Sequence, residues 1–539
     1  MNLTNNPTMK YSYIKNLLIS AGCLLAFGAC DDTLDLEPKN EFTSEVVYDS
    51  IGNYVNVLAK LYAGYAVTGQ QGGTGRPDVL GIDEGASSYF RAHWILQELP
   101  TDEAILAWVN DAGVAPLNLG TWSASNAIVQ AMYYRIYYQI ALANEFIRET
   151  SDGQLNDRGI GADDQATARL YRAEARFLRA LSYYHALDLF GVVPFLDETD
   201  GVGVYFPEQI SRAELFNYVE SELLAIEDEL AAPQSNEYGR VDQAGAWMLL
   251  AKLYLNAEVY ADQDRYADAL DYSERVINSG YTLDPNYQHL FLADNNTADG
   301  IILPIISDGV NTRSFGNTTF LAHASVGTGE NFSPAALGLS GGWGGLRATS
   351  ALVNLFDLTQ ENNERNTFFT EGQTLEIDDV STFSQGYAVL KYKNLTSTGE
   401  VGSDPALDFV DIDYPLFRLA DAYLMYAEAA LRGGGGDLGA ALDYVNALRE
   451  RAYDSSEENI SANELTLDFI LDERARELYW EGHRRTDLIR YGLFTGSQYV
   501  WPWKGGAPEG TSIADFRAVY PLPTSDLVAN PNLEQNLGY

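Results

Sequence analysis

The hydrophobic positions in long parts of this chain recur every three or four residues, which is the spacing of an amphipathic α-helix. From Ser44 to Val67 the apolar positions are Val47, Ile51, Val55, Leu58, Leu61 and Tyr65. The stretch from Ala127 to Glu149 carries a similar stripe, which is widened by Tyr133, Tyr134, Tyr137 and Tyr138. Both stretches are predicted to be helices, and at helical spacing we expect the four tyrosines to belong to the core.

Several further helices follow in the middle of the chain. The predicted helices are Ala166 to Phe190, Ser211 to about Leu230, Ala244 to Tyr260, and Tyr266 to Asn278. The second of these begins with a capping box, because Ser211 and Glu214 stand three residues apart. Helices in antiparallel pairs joined by short turns are typical of tetratricopeptide-like units, although the chain has no strict 34-residue repeat.

The stretch from Gly69 to Asp111 has a different character, because its residues follow neither a helical nor a strand period. It sets Tyr89, Arg91, Trp94 and Trp108 among glycines and acidic residues. Exposed aromatic rings gain little from water unless they meet a ligand. We therefore predict that this stretch forms ligand-binding loops held by a helical frame.

The composition narrows the class of ligand. The 539 residues include 34 basic and 76 acidic side chains, for a formal net charge of -42. Such a surface repels nucleic acid and anionic lipid and favours a neutral or cationic ligand, although solubility in a salty or extracellular setting also explains it. The 35 tyrosines, 22 phenylalanines and 8 tryptophans are numerous enough to suit sugar recognition as well as a core.

The amino terminus has the pattern of a secretory signal. Lys10 and Lys15 precede the apolar run 17–27, which is too short to span a membrane. Cys30 follows Gly28-Ala29 and resembles the cysteine of a bacterial lipobox, which becomes the lipidated first residue. Cys23 is a competing site, but cleavage there would leave apolar residues on the mature protein.

We therefore expect a signal peptide over residues 1–29, a lipidated tether over 30–43, and a folded body over 44–539. Both cysteines of the chain lie in its first 30 residues, so no disulfide framework is expected in the body. One acyl chain at Cys30 would hold the body at a membrane without burying any of it. The acidic pair Asp31-Asp32 resembles the export signal of surface lipoproteins.

Several blocks of the sequence together resemble the SusD/RagB family of lipoproteins. They are Ala173 to Pro194, Ala244 to Tyr260, Pro415 to Glu428, Asn446 to Ala452, Arg476 to Arg490, and Asn530 to Tyr539. With the lipobox, these blocks are distributed over nearly the whole length of the mature chain. The stretches 69–110 and 501–506 look closest to the starch-binding member of that family.

The resemblance implies an all-α fold, a tetratricopeptide-like helix-pair array with a loop-rich ligand-binding insertion. The scaffold would comprise 44–68, 127–280 and 414–495, the ligand-face loops 69–126 and 306–350, and the carboxy-terminal loop region 496–539. It also implies a non-catalytic, cofactor-free lipoprotein at the cell surface, anchored in the outer membrane. Such a protein would capture an α-glucan such as starch and deliver it to a TonB-dependent, SusC-like transporter.

The family pattern also assigns site residues. A pyranose ring offers C–H patches that pack on aromatic faces and hydroxyl groups that need paired donors and acceptors. Carried onto this chain, the pattern makes Trp108, Trp343 and Phe320 the stacking platforms. Arg91 would donate to adjacent hydroxyls, and Asp111 would accept from the same diol. A curved row of rings suits the bend of an α-1,4-glucan.

Three departures from the starch-binding member leave the linkage open. Phe320 stands where that member has tyrosine, Leu106 where it has tryptophan, and Asp111 where it has asparagine. A related glucan or another linkage therefore stays possible as the ligand. Peptide uptake by RagB-like relatives is a further alternative, and ion pairing of Arg91 with Asp83 or Glu84 would be a structural explanation for that arginine.

Three motifs suggest chemistry, and a structural explanation competes with each. Residues 338–342 match G-x-S-x-G, but their surroundings lack the strand and helix that a serine hydrolase needs. Glu477 and Glu481 could be the acid pair of an all-α glycosidase, but four residues apart on one helix we expect an ion-pair network with neighbouring basic residues. Calcium could bind near Asp411 and Asp413 or near Asp294 and Asp299, and helix capping by Asp413 is the alternative.

Overall fold

The computed structural model describes residues 44–73, 75–201, 206–360 and 362–539. The chain divides into two units, Met1–Ser50 and Ile51–Tyr539. The predicted signal peptide, the tether 30–43 and the lipidation site Cys30 lie outside the described residues. None of the described helices is long and apolar enough to cross a membrane.

Helices make up most of the described regular structure. In chain order they are α1 Ser44–Val47, α2 Ile51–Ala66, α3 Tyr89–Glu98, α4 Val114–Asn118, α5 Ala127–Glu149, α6 Asp152–Asp157, α7 Ala162–Leu189, α8 Arg212–Ile226, α9 Gln243–Leu255, α10 Ala257–Ala261, α11 Tyr266–Ile277, α12 Asn317–Ala324, α13 Ser350–Val353, α14 Leu419–Leu431, α15 Leu438–Tyr453, α16 Leu467–Leu478, α17 Arg484–Arg490 and α18 Thr524–Ala529. The predicted all-α class is confirmed.

The scaffold is a series of helices that each pack on the next. Helix α5 packs on α7, α7 on α8, α9 on α11, α11 on α14, and α14 on both α15 and α16. Their buried stripes follow the predicted spacing: in α5, Met132, Ile136 and Ile140 are fully buried. This side-by-side packing of amphipathic helices forms the core from which the site loops project.

Most predicted helix bounds are close to those observed. The helix predicted over Ala127 to Glu149 has those bounds, and Ser211 caps α8 with the reciprocal contact from Glu214. The predicted helix from Ala244 to Tyr260 is divided at Asn256, whose side chain donates to the Lys252 carbonyl. The predicted helix from Ser44 to Val67 appears as α1 and α2.

The described strands are short and pair across long sequence separations. They are β1 Ala104–Leu106, β2 Val193–Pro194, β3 Gln209–Ile210, β4 Ile301–Ile305, β5 Leu346–Ala348, β6 Phe368–Phe369, β7 Ala388–Val389 and β8 Tyr414–Arg418. The antiparallel pairs are β1 with β5, β2 with β3, β4 with β8, and β6 with β7. The pair β1–β5 joins the two predicted ligand-face regions, 69–126 and 306–350.

The prediction that 69–126 consists of loops is wrong in part, because α3 lies within it. All ten residues of α3 are buried. A helix buried on every side has no solvent-facing stripe, so its polar residues, such as Arg91 and Glu98, need not follow an amphipathic period. The same reason applies to α12 in the other predicted loop region, where all eight residues are buried.

Candidate functional site

Two tryptophans predicted as stacking platforms lie side by side at the protein surface. The ring centroids of Trp108 and Trp343 are 6.4 Å apart, and the ring planes are inclined by 41°. Both side chains are partly exposed. Two adjoining rings at this inclination present a bent aromatic surface to solvent, which we call the tryptophan face.

The backbone around β1 and β5 fixes the position of these rings. Ala104 pairs with Ala348 and Leu106 with Leu346, and the amide of Ala107 then donates to the Gly345 carbonyl at 2.9 Å. Asn118 holds Leu106 on both sides, since its side chain accepts from the Leu106 amide and donates to the Leu106 carbonyl. Trp108 therefore follows a strand that is held at one end by the pairing of Ala104 with β5 and at the other by the hydrogen bonds of Asn118.

Glycines around Trp343 allow its loop to approach the rest of the site closely. A Cβ added at Gly342 would lie 2.3 Å from the Val326 carbonyl oxygen, and one at Gly345 would lie 2.7 Å from two carbons of the Trp108 indole. Any larger residue at Gly345 would push Trp108 from its place. The glycines that bracket Trp343 in the sequence thus serve close packing of the backbone as well as exposure of the ring.

Trp343 is supported from one side by His323. Their rings stack at 4.8 Å between centroids with planes 18° apart, and the Trp343 amide donates to the His323 carbonyl. His323 is itself buried, and its Nδ1 lies 2.7 Å from the Gly341 carbonyl oxygen. Burial lowers the pKa of His323, so the ring under Trp343 is neutral at physiological pH.

The prediction that Phe320 is a third platform is not met, because its ring has no exposed surface. Phe320 lies in α12, and the guanidinium of Arg91 covers it at 4.2 Å from the ring centroid. Trp94 packs against it at 5.8 Å. Phe320 therefore supports the site from beneath, where a sugar has no access to its ring.

Arg91 lies between this buried layer and the surface. Its Nη1 donates to the carbonyls of Gly85 and Phe315 at 3.0 and 2.8 Å. Burial lowers the pKa of Arg91 to about 10, while the carboxylates of Asp83 and Asp111 act in the opposite direction. The arginine is charged at neutral pH and is held by backbone carbonyls rather than by the ion pair with Asp83 or Glu84 that we considered.

A cleft of about 530 Å³ opens beside Trp108, and we call it the tryptophan cleft. Arg91, Asp111 and Trp108 all line it, together with Leu106 and the first turn of α5. Asp111 is exposed, and its backbone amide donates to the Trp108 carbonyl at 2.9 Å, so it ends the turn that begins at Trp108. The structure thus brings together an aromatic ring, a cation and a carboxylate in one concave surface.

Two phenylalanines that the sequence reasoning missed extend the tryptophan face. Phe315 is partly exposed, with its centroid 6.2 Å from that of Trp343, and Phe409 follows at 5.0 Å from Phe315. Phe315 stands only five residues before Phe320. The sequence signal for Phe315 is its place just before the start of α12. A side chain outside the helix does not have to pack on the buried side of that helix.

Tyr89 and Trp94 were predicted to belong to the ligand face, and the structure contradicts this. Both rings are buried in α3; the Tyr89 hydroxyl lies 2.8 Å from His185, and Trp94 Nε1 donates to the Trp480 carbonyl. Each polar group is satisfied internally, as buried tyrosine and tryptophan require. They anchor the loops of the site to the scaffold.

The motifs that suggested enzymatic or metal chemistry have structural roles. Glu477 and Glu481 are fully buried, and Arg418 binds both. The expected ion-pair network is therefore present, although its main partners come from distant segments rather than from the same helix. Ser340 of the G-x-S-x-G motif donates to Asp408 and follows the turn Pro334–Leu337.

Two of the four aspartates considered for calcium, Asp411 and Asp413, bind protein groups. Asp413 accepts from the Ser307 amide and the Tyr238 hydroxyl, and Asp411 accepts from the Gly309 amide. The capping explanation for Asp413 is wrong, because strand β8 follows it rather than a helix. Within the described ranges, no group of three or more histidine, cysteine or acidic residues is arranged to hold a metal ion.

The chain is similar to known proteins in both sequence and structure. A sequence profile of the SusD family matches residues 357–539. The starch-binding protein SusD of Bacteroides thetaiotaomicron is 36% identical to this chain, over 98% of this chain and 100% of that protein.

Solved structures share the fold at lower identity. The surface glycan-binding protein A of Bacteroides fluxus matches with a TM-score of 0.70 at 20% identity, covering 91% of this chain and 100% of that one. The surface glycan-binding protein A of Bacteroides thetaiotaomicron, in complex with laminarihexaose, matches with a TM-score of 0.68 at 20% identity, covering 90% and 99%.

Proposed function

The chain belongs to the SusD family, and from this premise we propose that it captures an α-glucan on the cell surface through Trp108 and Trp343. SusD-family glycan-binding proteins are non-catalytic, so this chain is a binding protein rather than an enzyme. Delivery of the glycan to a SusC-like transporter of the outer membrane, and anchoring through a lipid at Cys30, are parts of the same proposal.

The observation that carries the proposal is the bent pair of indole rings beside the tryptophan cleft. Two planes inclined by 41° fit a chain whose successive pyranose rings turn, as in an α-1,4-glucan, better than the flat ribbon of a β-1,4-glucan. Arg91 and Asp111 line the cleft next to Trp108 and supply a donor and an acceptor for hydroxyl groups.

The identity to the starch-binding protein SusD supports starch as the ligand. The complex of a structural relative with laminarihexaose makes a β-1,3-glucan, whose chain also turns, the alternative to be tested. The acidic surface of this chain, with a net charge of -42, disfavours acidic polysaccharides in either case.

The test is affinity electrophoresis in native gels that contain amylopectin, laminarin or a soluble β-1,4-glucan. We expect amylopectin to retard the wild-type protein most. The double variant Trp108→Ala with Trp343→Ala should lose this retention, since loss of one stacking ring costs about 1–3 kcal/mol at comparable aromatic sites. Thermal unfolding of the variant should stay close to that of the wild type, because both rings are partly exposed.

Trp247→Ala is the matched control. Trp247 is also partly exposed, but it lies in α9 of the scaffold, where its Nε1 donates to Glu227. We expect this variant to be retained like the wild type. Full retention of the double variant by amylopectin would refute the proposal, and stronger retention by laminarin than by amylopectin would assign the site to a β-1,3-glucan.

A further inference from the structure

A second cleft, of about 680 Å³, lies along α5 and is lined by the four tyrosines that the sequence led us to expect in the core. We call it the tyrosine cleft. Tyr133 is buried as expected, whereas Tyr134, Tyr137 and Tyr138 are partly exposed. Of the four, only Tyr133 therefore fits the prediction of a purely internal role.

The tyrosine cleft adjoins the tryptophan cleft. The two clefts share α5, since four residues of its first turns line the tryptophan cleft and the four tyrosines line the tyrosine cleft. They also share a loop, of which residues 81–83 line the first cleft and residues 78–80 the second. At a rise of 1.5 Å per residue, the stretch from residue 128 to residue 138 spans about 15 Å. A chain molecule bound at Trp108 can therefore reach the second cleft.

Gln130 connects the two clefts. It lines the tryptophan cleft, and its Nε2 donates to the Tyr134 hydroxyl at 3.1 Å and to Ser525 Oγ at 3.2 Å. Its side chain is partly exposed. The boundary between the clefts is thus formed by a polar side chain that offers hydrogen-bonding groups rather than by a bulky apolar wall.

The walls of the tyrosine cleft leave apolar and aromatic surface in water. Leu80 is 81% exposed and Phe206 is 48% exposed. The ring of Tyr137 packs on that of Tyr133 at 4.7 Å, so the buried ring supports the exposed one. Exposed apolar groups gathered around a concave surface are typical of binding sites. A tyrosine side chain combines a flat apolar ring with a hydroxyl group, and it therefore suits a ligand that has both C–H and O–H surfaces.

The polar groups of the tyrosine cleft fit a neutral, hydroxyl-rich ligand. The Tyr134 hydroxyl lies 2.8 Å from Ser525 Oγ, which lies 3.0 Å from Asp526 Oδ2. Asp78 and Asp526 both line the cleft, and the described lining residues include neither lysine nor arginine. Lys60, just outside, pairs with Asp78 at 2.5 Å. Carboxylates disfavour an anionic ligand and can accept hydrogen bonds from sugar hydroxyls.

We propose that the tyrosine cleft is a second carbohydrate-binding site, which takes sugar units of the polysaccharide chain held at Trp108 and Trp343. The class of ligand rests on the function proposed above, and the location rests on the shared helix and loop. When a polysaccharide chain is bound at the tryptophan face, its other sugar units are held near the tyrosine cleft, so their effective concentration at the second site is raised. The protein would thereby bind long chains more tightly than short oligosaccharides.

The test compares a polymer with a short ligand. The variant Tyr134→Ala with Phe206→Ala removes two partly exposed rings from the tyrosine cleft, and Phe206→Ala alone serves as the milder variant. Retention is measured in native gels with whichever of amylopectin, laminarin or β-1,4-glucan retards the wild type. Affinity for the hexasaccharide of the same linkage is measured by calorimetry. The control Tyr444→Ala removes a partly exposed tyrosine from α15.

We expect the double variant to bind the polymer at least about fivefold more weakly than the wild type, as loss of stacking at one or two rings would cause. Its hexasaccharide affinity should stay within about twofold of the wild type, and the control should match the wild type for both ligands. Unchanged polymer retention in a variant that unfolds at the wild-type temperature would overturn the proposal. An equal loss for polymer and hexasaccharide would overturn it as well.

The outcomes separate this proposal from the function proposed above. If Trp108→Ala with Trp343→Ala abolishes retention while the tyrosine-cleft variants bind normally, only the second site is refuted. If the tryptophan variant keeps full retention while the tyrosine-cleft variant loses it, the main site is misassigned and the tyrosine cleft is the carbohydrate site. A wild-type protein that none of the three polysaccharides retards would refute both.

Discussion

The tryptophan face and the charged segment Glu473–Arg490, which we call the charged clamp, place their residues in opposite ways. In the charged clamp, Glu473, Glu477 and Arg485 have no exposed surface. In the tryptophan face, two of the largest apolar side chains are partly exposed. From residue type alone, one would place the charged clamp at the surface and the tryptophans in the core, and both placements would be wrong.

The difference lies in the partners that each region finds. Arg418 binds Glu477 and Glu481 at 2.6 Å each, and Lys391 binds Glu481 at 2.7 Å. Burial alone would raise the pKa of Glu477, but Arg451, Arg418 and Arg365 lower it to about 2. Charged groups stay ionised inside the protein because each has an opposite charge in contact. The indoles, by contrast, keep exposed faces that no other side chain covers completely.

The largest effect is expected where the charged clamp loses a partner. Arg418→Met leaves two buried carboxylates short of a cation, and breaking a buried pair in this way costs about 3–5 kcal/mol. Chemical denaturation should show this loss in the free energy of unfolding. Arg169→Met is the control, because the pair of Arg169 with Asp152 is solvent-exposed at 3.2 Å and we expect it to matter little. Equal effects of the two substitutions would mean that the clamp does not stabilise the fold.

A second comparison separates a buried ring from an exposed one within the site itself. Phe320→Ala opens a cavity under Arg91 and should cost about 3–5 kcal/mol of stability, as such core truncations do. Phe315→Ala should leave the unfolding temperature nearly unchanged and weaken retention in an amylopectin gel. If Phe320→Ala weakened glycan binding without loss of stability, our assignment of Phe320 to the supporting layer would be wrong.

A smaller effect is expected from acid, which acts on the interior beside the charged clamp. His93 lines a small cavity together with His483 and Asp487, and burial lowers the pKa of His93 from 6.5 to about 4. Between these two pH values the unfolded chain binds more protons than the folded one, so stability falls as the pH is lowered. Over the full shift of the His93 pKa, this loss in the free energy of unfolding amounts to about 3 kcal/mol.

The variant His93→Phe should therefore lose less stability than the wild type when the pH is lowered from 6.5 to 4. The measurement is the midpoint of thermal unfolding of both proteins at several pH values in this range. Parallel curves for the two proteins would show that His93 stays protonated in the fold or titrates normally, contrary to its burial.

The sequence by itself determined the helical scaffold. Helix α5 has its predicted bounds because its apolar residues recur on one side, a pattern that depends only on positions close together in the chain. The predicted capping box of Ser211 and Glu214 is confirmed for the same reason, because both partners lie within one turn of the helix. The candidate residues Trp108 and Trp343 were also found from sequence, through a family resemblance and their glycine-rich surroundings.

Only the tertiary structure decided which aromatic residues face solvent. Phe320 and Phe315 stand in the same short segment, yet the packing of Arg91 and Trp94 covers one of them and leaves the other at the surface. Pairing of β1 with β5 brings Trp108 next to Trp343 across more than two hundred residues. Contacts of this kind depend on which distant segments of the chain meet, and the local periodicity of hydrophobic residues does not predict which segments these are.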